Sequence, residues 1–165
     1  MKEAPAPNSD WQRLWFSARE HDWNSLALVP GDSGVDVVQV AETLATTGRL
    51  YGEKAVTVLN GRGVQLTNVH QLIDTLGVMT GRGDWVIVPV DAVSENPSSI
   101  PIVQATSAAL FVVRLGESFL SSARSAIEAV GRERFLGSIV IDTRGQKGRP
   151  VLQLTLPPAA FIVCL

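Results

Sequence analysis

The chain holds a single cysteine, Cys164, among 165 residues. One thiol cannot form an internal disulfide, and a cysteine-rich zinc site is excluded with it. A reducing cytoplasm is the expected compartment. Histidine is nearly as scarce. His21 and His70 stand far apart, with no cysteine or clear acidic partner at metal-ligand spacing, so neither is expected to hold a metal. No apolar run approaches the ~18 residues that a membrane span requires. Met1 to Asp10 is polar and proline-rich, unlike a secretory signal. A basic stripe is also missing: the formal net charge is -2, and the densest basic group, Arg144 to Arg149, falls in an expected loop. General nucleic-acid binding is therefore not expected.

What is present is apolar. Hydrophobic residues make up 45% of the chain and charged residues 18%, which places it among globular rather than disordered proteins. Its length suits one domain, enough to bury roughly 70% of the unfolded surface. Residues 1–9 are expected to form a flexible arm and residues 10–165 a single domain.

Apolar runs alternate with helical patterns. Strands are expected at residues 24–30, 55–59, 85–88, 108–115 and 136–141. Val151 to Leu156 alternates apolar and polar residues, which suits an exposed or edge strand. Helices are expected at 10–20, 35–47, 66–79 and 117–130, with a short one within 97–106. Gly48 is the expected stop of the second helix. Strands that read as continuous Val, Ile and Leu are covered on both faces, so the pattern predicts an α/β three-layer sandwich around a mostly parallel sheet. Ligands in such sheets bind at the carboxyl ends of the strands. The segments following Val29, Leu59, Val88 and Leu115 are the places to search. The final apolar segment, Ala159 to Leu165, has two readings: a terminal buried strand or a surface for a partner.

The first strand end carries the most informative motif. Leu26 to Val29 reads as a buried strand, Pro30 to Gly34 as a glycine-rich turn, and Val35 onward as a helix start. This is the layout of a Walker A phosphate loop. A working loop needs Gly-Lys followed by Ser or Thr, the lysine for the β/γ-phosphates and the hydroxyl for Mg²⁺. Here Gly31, Asp32, Ser33 and Gly34 are followed by Val35 and Asp36. An aliphatic group replaces the cation, and a carboxylate stands where phosphate would bind. A phosphate without its lysine and Mg²⁺ loses charge-assisted contacts worth about 1.5–3 kcal/mol each. The helix N-terminus, which favours an anion, is open to Asp32, Ser33 or Asp36 as an internal cap. The Gly31-Asp-Ser-Gly34 run is no hydrolase elbow, which needs Gly-x-Ser-x-Gly, and only His21 lies upstream as a base.

Four stretches together resemble the MinD/ParA-type P-loop ATPases, and most closely the cytoplasmic domain of the bacterial tyrosine kinases of capsule and exopolysaccharide export. Residues 10–16 are similar to the Glu-x-x-Arg-x-x-Arg helix that precedes the first strand in those kinases. Residues 26–45 are similar to their strand, loop and helix, and residues 52–62 to their second strand. Residues 84–91, 108–118 and 136–141 are similar to their run of third, fourth and fifth strands. The resemblance implies a P-loop-like fold over residues 10–142.

The departures from that family fall on its chemistry. Val35 replaces the Walker A lysine and Asp36 its hydroxyl. Val29, Pro30 and Gly31 fill the positions of the signature lysine. Asn60 replaces the second-strand acid, and Val88 or Pro89 the Walker B acid. About Asp142 stands where the family has its base-recognising asparagine. The tyrosine-rich tail is missing, since Tyr51 is the only tyrosine. The resemblance therefore implies a non-catalytic scaffold with no cofactor. Its protein partner is expected to be a second copy, a true ATPase of the family or the cytoplasmic segment of a membrane protein.

The candidate partner-binding residues are Trp11, Arg13, Trp15 and Phe16. Aromatic residues and arginine are enriched at binding hot spots, and in those kinases this helix makes subunit contacts. Packing of both tryptophans on the sheet is the other reading. Asp91 and Glu95 are expected to be solvated or turn-forming. Arg62, Arg82 and Arg114 are candidates to gather around an anion at the carboxyl edge. Two further functions remain open: a nucleotide-binding ATPase or kinase with an unorthodox loop, and a RecA-type regulator associated with DNA repair.

Overall fold

The apolar runs form the strands of one sheet. The computed structural model describes residues 9–52, 54–114, 120–142 and 149–153. The N-terminal arm, Cys164 and Ala159 to Leu165 lie outside the described residues, as does most of the Arg144–Arg149 group. The strands are β1 (Ser25–Pro30), β2 (Val56–Val58), β3 (Trp85–Pro89), β4 (Ala108–Arg114), β5 (Phe135–Asp142) and β6 (Arg149–Gln153). Their order is β2-β3-β1-β4-β5-β6. The first five are parallel, and β6 runs antiparallel to β5, with Val140 opposite Val151. Among the described residues the alternating segment after the fifth strand is thus an edge strand, beginning two residues earlier than its pattern suggested.

Register divides the core in two. Leu26 pairs with Ile87 and Ala108, and Leu28 with Pro89 and Leu110. Leu26, Leu28, Ile87, Leu110, Val112 and Ile139 point to one face, under α1 (Ser9–Arg19) and α2 (Val37–Tyr51). Ala27, Val29, Val86, Val88, Ala109 and Phe111 point to the other, under α3 (Val69–Gly81), α4 (Ser99–Ala105) and α5 (Leu120–Val130). This is the expected three-layer α/β sandwich. All six residues of β1 are buried, which is why the strand shows no polar alternation. Among the described residues no helix is long and apolar enough to cross a membrane.

Helix α1 settles the tryptophan question. Trp11, Leu14, Trp15 and Ala18 follow helical spacing, and all four are buried. The Trp15 ring meets Trp23 at 5.9 Å and Trp85 at 5.6 Å between centroids. Trp23 Nε1 donates to the Ala18 carbonyl at 2.7 Å. The Arg19 guanidinium lies 3.9 Å from the Trp85 ring centroid. Trp11 and Trp15 therefore belong to the core and are withdrawn as partner-binding residues. Arg13 and Phe16 stay exposed on the other side of the helix.

Gly48 does not end α2, which continues to Tyr51. It is buried within the helix because the Trp15 indole lies against it. A Cβ there would overlap the ring. Alanine is intrinsically the better helix former by about 0.8–1.0 kcal/mol, whereas overpacking a core costs about 1–3 kcal/mol. The clash is with a rigid ring in a packed core, so it decides the sign. Gly48→Ala is expected to destabilise the protein by about 1–2 kcal/mol. The measurement is urea unfolding: the midpoint falls with the slope unchanged.

Candidate functional site

The chain after β1 crosses toward β2, and the chain after β4 goes to β5. The carboxyl ends of these two adjacent strands therefore face the switch point where α/β sheets bind ligands. The residues 31–36 loop leaves the sheet here. Gly31 N–H donates to the Val112 carbonyl at 2.8 Å, which fastens the start of the loop to β4. The loop then supplies its own anion. Asp32 Oδ1 accepts the Gly34 N–H at 2.8 Å and faces Arg114 Nη2 at 3.5 Å. Gly34 lets this pair close over the loop: a Cβ would meet the far ends of the Arg114 and Asp32 side chains, which would have to move aside.

The other loop residues are also engaged in structure. Val35, at the lysine position, is 3% exposed and packs in the core with Leu26, Leu28 and Val112. Asp36 is the N-cap of α2, its Oδ1 accepting the Gln39 N–H at 3.1 Å. A carboxylate at this position interacts favourably with the helix dipole. Ser33 is exposed. His21 precedes β1 and so lies at the opposite edge of the sheet, about 20 Å away by strand length. No Ser33–His21 pair can form.

At the second strand end, Asn60 Oδ1 accepts the Arg62 N–H at 3.0 Å, making a local turn. Gly61 N–H donates to the Pro89 carbonyl at 2.9 Å. Pro89 is buried and pairs with Leu28, and Val88 is fully buried in the opposite core. Neither Walker B candidate position thus presents a carboxylate. The side chain of Asp142 lies outside the described residues.

Asp91 is the residue that sequence reasoning undervalued. Its carboxylate accepts the Gly63 N–H at 2.7 Å, Arg62 Nε at 3.0 Å and Asn96 Nδ2 at 3.0 Å. Asn96 Nδ2 also donates to the Val64 carbonyl at 3.2 Å. Asp91 is partly exposed and holds turns together, tying the loop after β2 to the loop after β3. Burial pushes its carboxyl pKa up, but the donors from Asn96, Gly63 and Arg62 outweigh that, and the net shift is downward. The Asn60-Gly-Arg-Gly63 turn was visible in the sequence, but nothing local to it named an acceptor 28 positions on from Gly63.

The three arginines do not gather. Arg62 pairs with Asp91 and Arg114 with Asp32, while Arg82 follows α3 at the other edge of the sheet. Among the described residues, no group of three or more His, Cys, Asp or Glu is arranged to hold a metal ion.

Asp91→Asn is expected to cost on the order of 2 kcal/mol at neutral pH, because a hydrogen-bonded charge is replaced and one amide proton is left facing donors. The folded-state pKa lies below the ordinary 3.8, so this contribution is fully present above that value and is lost as pH falls through the folded pKa. Urea midpoints of wild type and variant should therefore differ at neutral pH and converge in acid. A constant gap would show that the charge is not the stabilising element.

No family model matches the chain, and no curated protein matches it significantly. Among solved structures, the fold is similar to that of the chimerical protein CapA2B2, with a TM-score of 0.65, 13% sequence identity and 88% of each chain covered. At that identity the likeness establishes a shared fold, related at a distance.

Proposed function

We propose that this protein is a non-catalytic P-loop-like scaffold that binds a protein partner. One observation carries the reading: the phosphate cradle is filled from within. Asp32 takes the Gly34 N–H and faces the Arg114 guanidinium, Asp36 caps the helix, and Val35 is buried in the core. An incoming phosphate would have to displace Asp32 and then meet Asp36, with no lysine to compensate. The fold shared with CapA2B2 and the resemblance of residues 10–142 to polysaccharide-export kinases suggest a setting in bacterial surface-polysaccharide export or a related ATPase-based assembly. The partner is a second copy, a family ATPase or a membrane protein's cytoplasmic segment.

The contact surface proposed on this reading is the exposed side of α1. Phe16 is 52% exposed and rests on Tyr51, itself 46% exposed, at 4.9 Å between ring centroids. Arg13 stands beside it, one turn earlier. An aromatic pair with an adjacent arginine has the composition of a hot spot.

Calorimetric titration with Mg-ATP tests the first part: no binding tighter than about 1 mM is expected, and a Kd below about 100 μM overturns the pseudo-enzyme reading. For the second part, the double variant Arg13→Glu/Phe16→Asp should reduce recovery of the bound partner by about tenfold, or ~1.4 kcal/mol, with only the small fall in urea midpoint that loss of the Phe16–Tyr51 contact brings. Equal recovery would move the interface elsewhere. Substitution of Trp11 or Trp15 is not diagnostic, because either opens the core.

A further inference from the structure

Among the described residues β2 is an edge of the sheet, and it carries a hazard that its short length and one side chain of α2 offset. In the parallel β2–β3 ladder the Ala55 carbonyl receives the Trp85 N–H, and the Leu59 N–H reaches the Ile87 carbonyl. Odd-numbered residues of this segment therefore face β3. The N–H and C=O groups of Val56 and Val58 face outward, toward the open edge. Residues 55–60, Ala-Val-Thr-Val-Leu-Asn, contain no charge, proline or glycine. This is the composition of a segment that pairs with copies of itself. Natural edges are blunted by very short strands, charge, proline, a bulge or a covering group. β2 is short, three residues; within 55–60 charge and proline are missing, and among the described residues a covering group comes from α2. Arg49, in its last turn, donates from Nε to the Val56 carbonyl at 2.8 Å.

We infer that Arg49 is an edge guard, whose guanidinium blocks β2 from pairing with β2 of a second copy. The blocked contact is self-complementary: two β2 strands related by a two-fold axis would run antiparallel and exchange bonds at Val56 and Val58. Arg49 holds the carbonyl that such a ladder needs first and places a cation where its own symmetry mate would lie. This inference is independent of the loop after β1 and of the α1 surface.

The test is light-scattering mass across a concentration series, beside thermal unfolding. Arg49→Met keeps the aliphatic stem and helix propensity and removes the donor. Its weight-average mass should rise with concentration toward about twofold that of wild type, with little change in unfolding temperature. Arg49→Lys, which keeps a cation at the edge, should stay at the wild-type mass. Val58→Pro removes an outward N–H without touching the bonds to β3. Combined with Arg49→Met, it should restore the wild-type mass. A wild-type mass for Arg49→Met overturns the inference, as does association that survives Val58→Pro. Failure of Arg49→Met to fold overturns it as well, because a guard contributes one surface hydrogen bond and not the fold.

Discussion

The arrangement of the carboxyl edge depends on the complete burial of β1. Its six residues are covered by helices on both faces and by β3 and β4 on both sides. A strand so placed delivers the chain abruptly from a dry interior to the surface, and each polar group in the turn must find a partner at once. Gly31 takes the Val112 carbonyl, Asp32 takes the Gly34 N–H, and Asp36 closes the first turn of α2. In a nucleotide-binding protein the ligand would fulfil part of this need. Here the chain itself supplies partners to the Gly31, Gly34 and Gln39 N–H groups.

The same economy governs the charges. Asp32 and Asp91 sit at neighbouring strand ends, and each holds an arginine that might otherwise have served an anion. The two pairs differ in construction. The Arg114–Asp32 contact is long, with both side chains more than a quarter exposed, and the ion pair itself contributes little to stability; it matters because it occupies space. Asp91 is 16% exposed and gathers three donors from three residues. It is the stronger anchor, joining two loops that the sheet brings together but does not connect.

What was legible in the sequence follows from locality. Continuous apolar runs announced buried parallel strands, and the spacing of Trp11, Leu14, Trp15 and Ala18 announced a one-sided helix. That Val35, Asn60 and Pro89 are neither lysine nor acid could be read residue by residue. The misjudged features all depend on residues distant in sequence. Gly48 looked like a helix stop because glycine usually marks one; its actual reason is an indole supplied 33 positions earlier by Trp15. Asp91 read only as solvated or turn-forming, because its partners at Arg62 and Gly63 arrive only when β2 and β3 align. Arg114 could not be assigned to Asp32 before β4 was known to lie beside β1.

The tryptophans have a consequence for observing this molecule. All four, Trp11, Trp15, Trp23 and Trp85, belong to one apolar cluster between the sheet and the α1–α2 layer. Trp15, Trp23 and Trp85 lie 5.6–6.2 Å apart between ring centroids, close enough for their excited states to couple. Intrinsic fluorescence and near-ultraviolet dichroism of this protein are therefore the signal of a single corner, the amino edge where α1 meets β1 and β3. The loops at the carboxyl edge carry no indole, and a rearrangement confined to them would pass optically unseen.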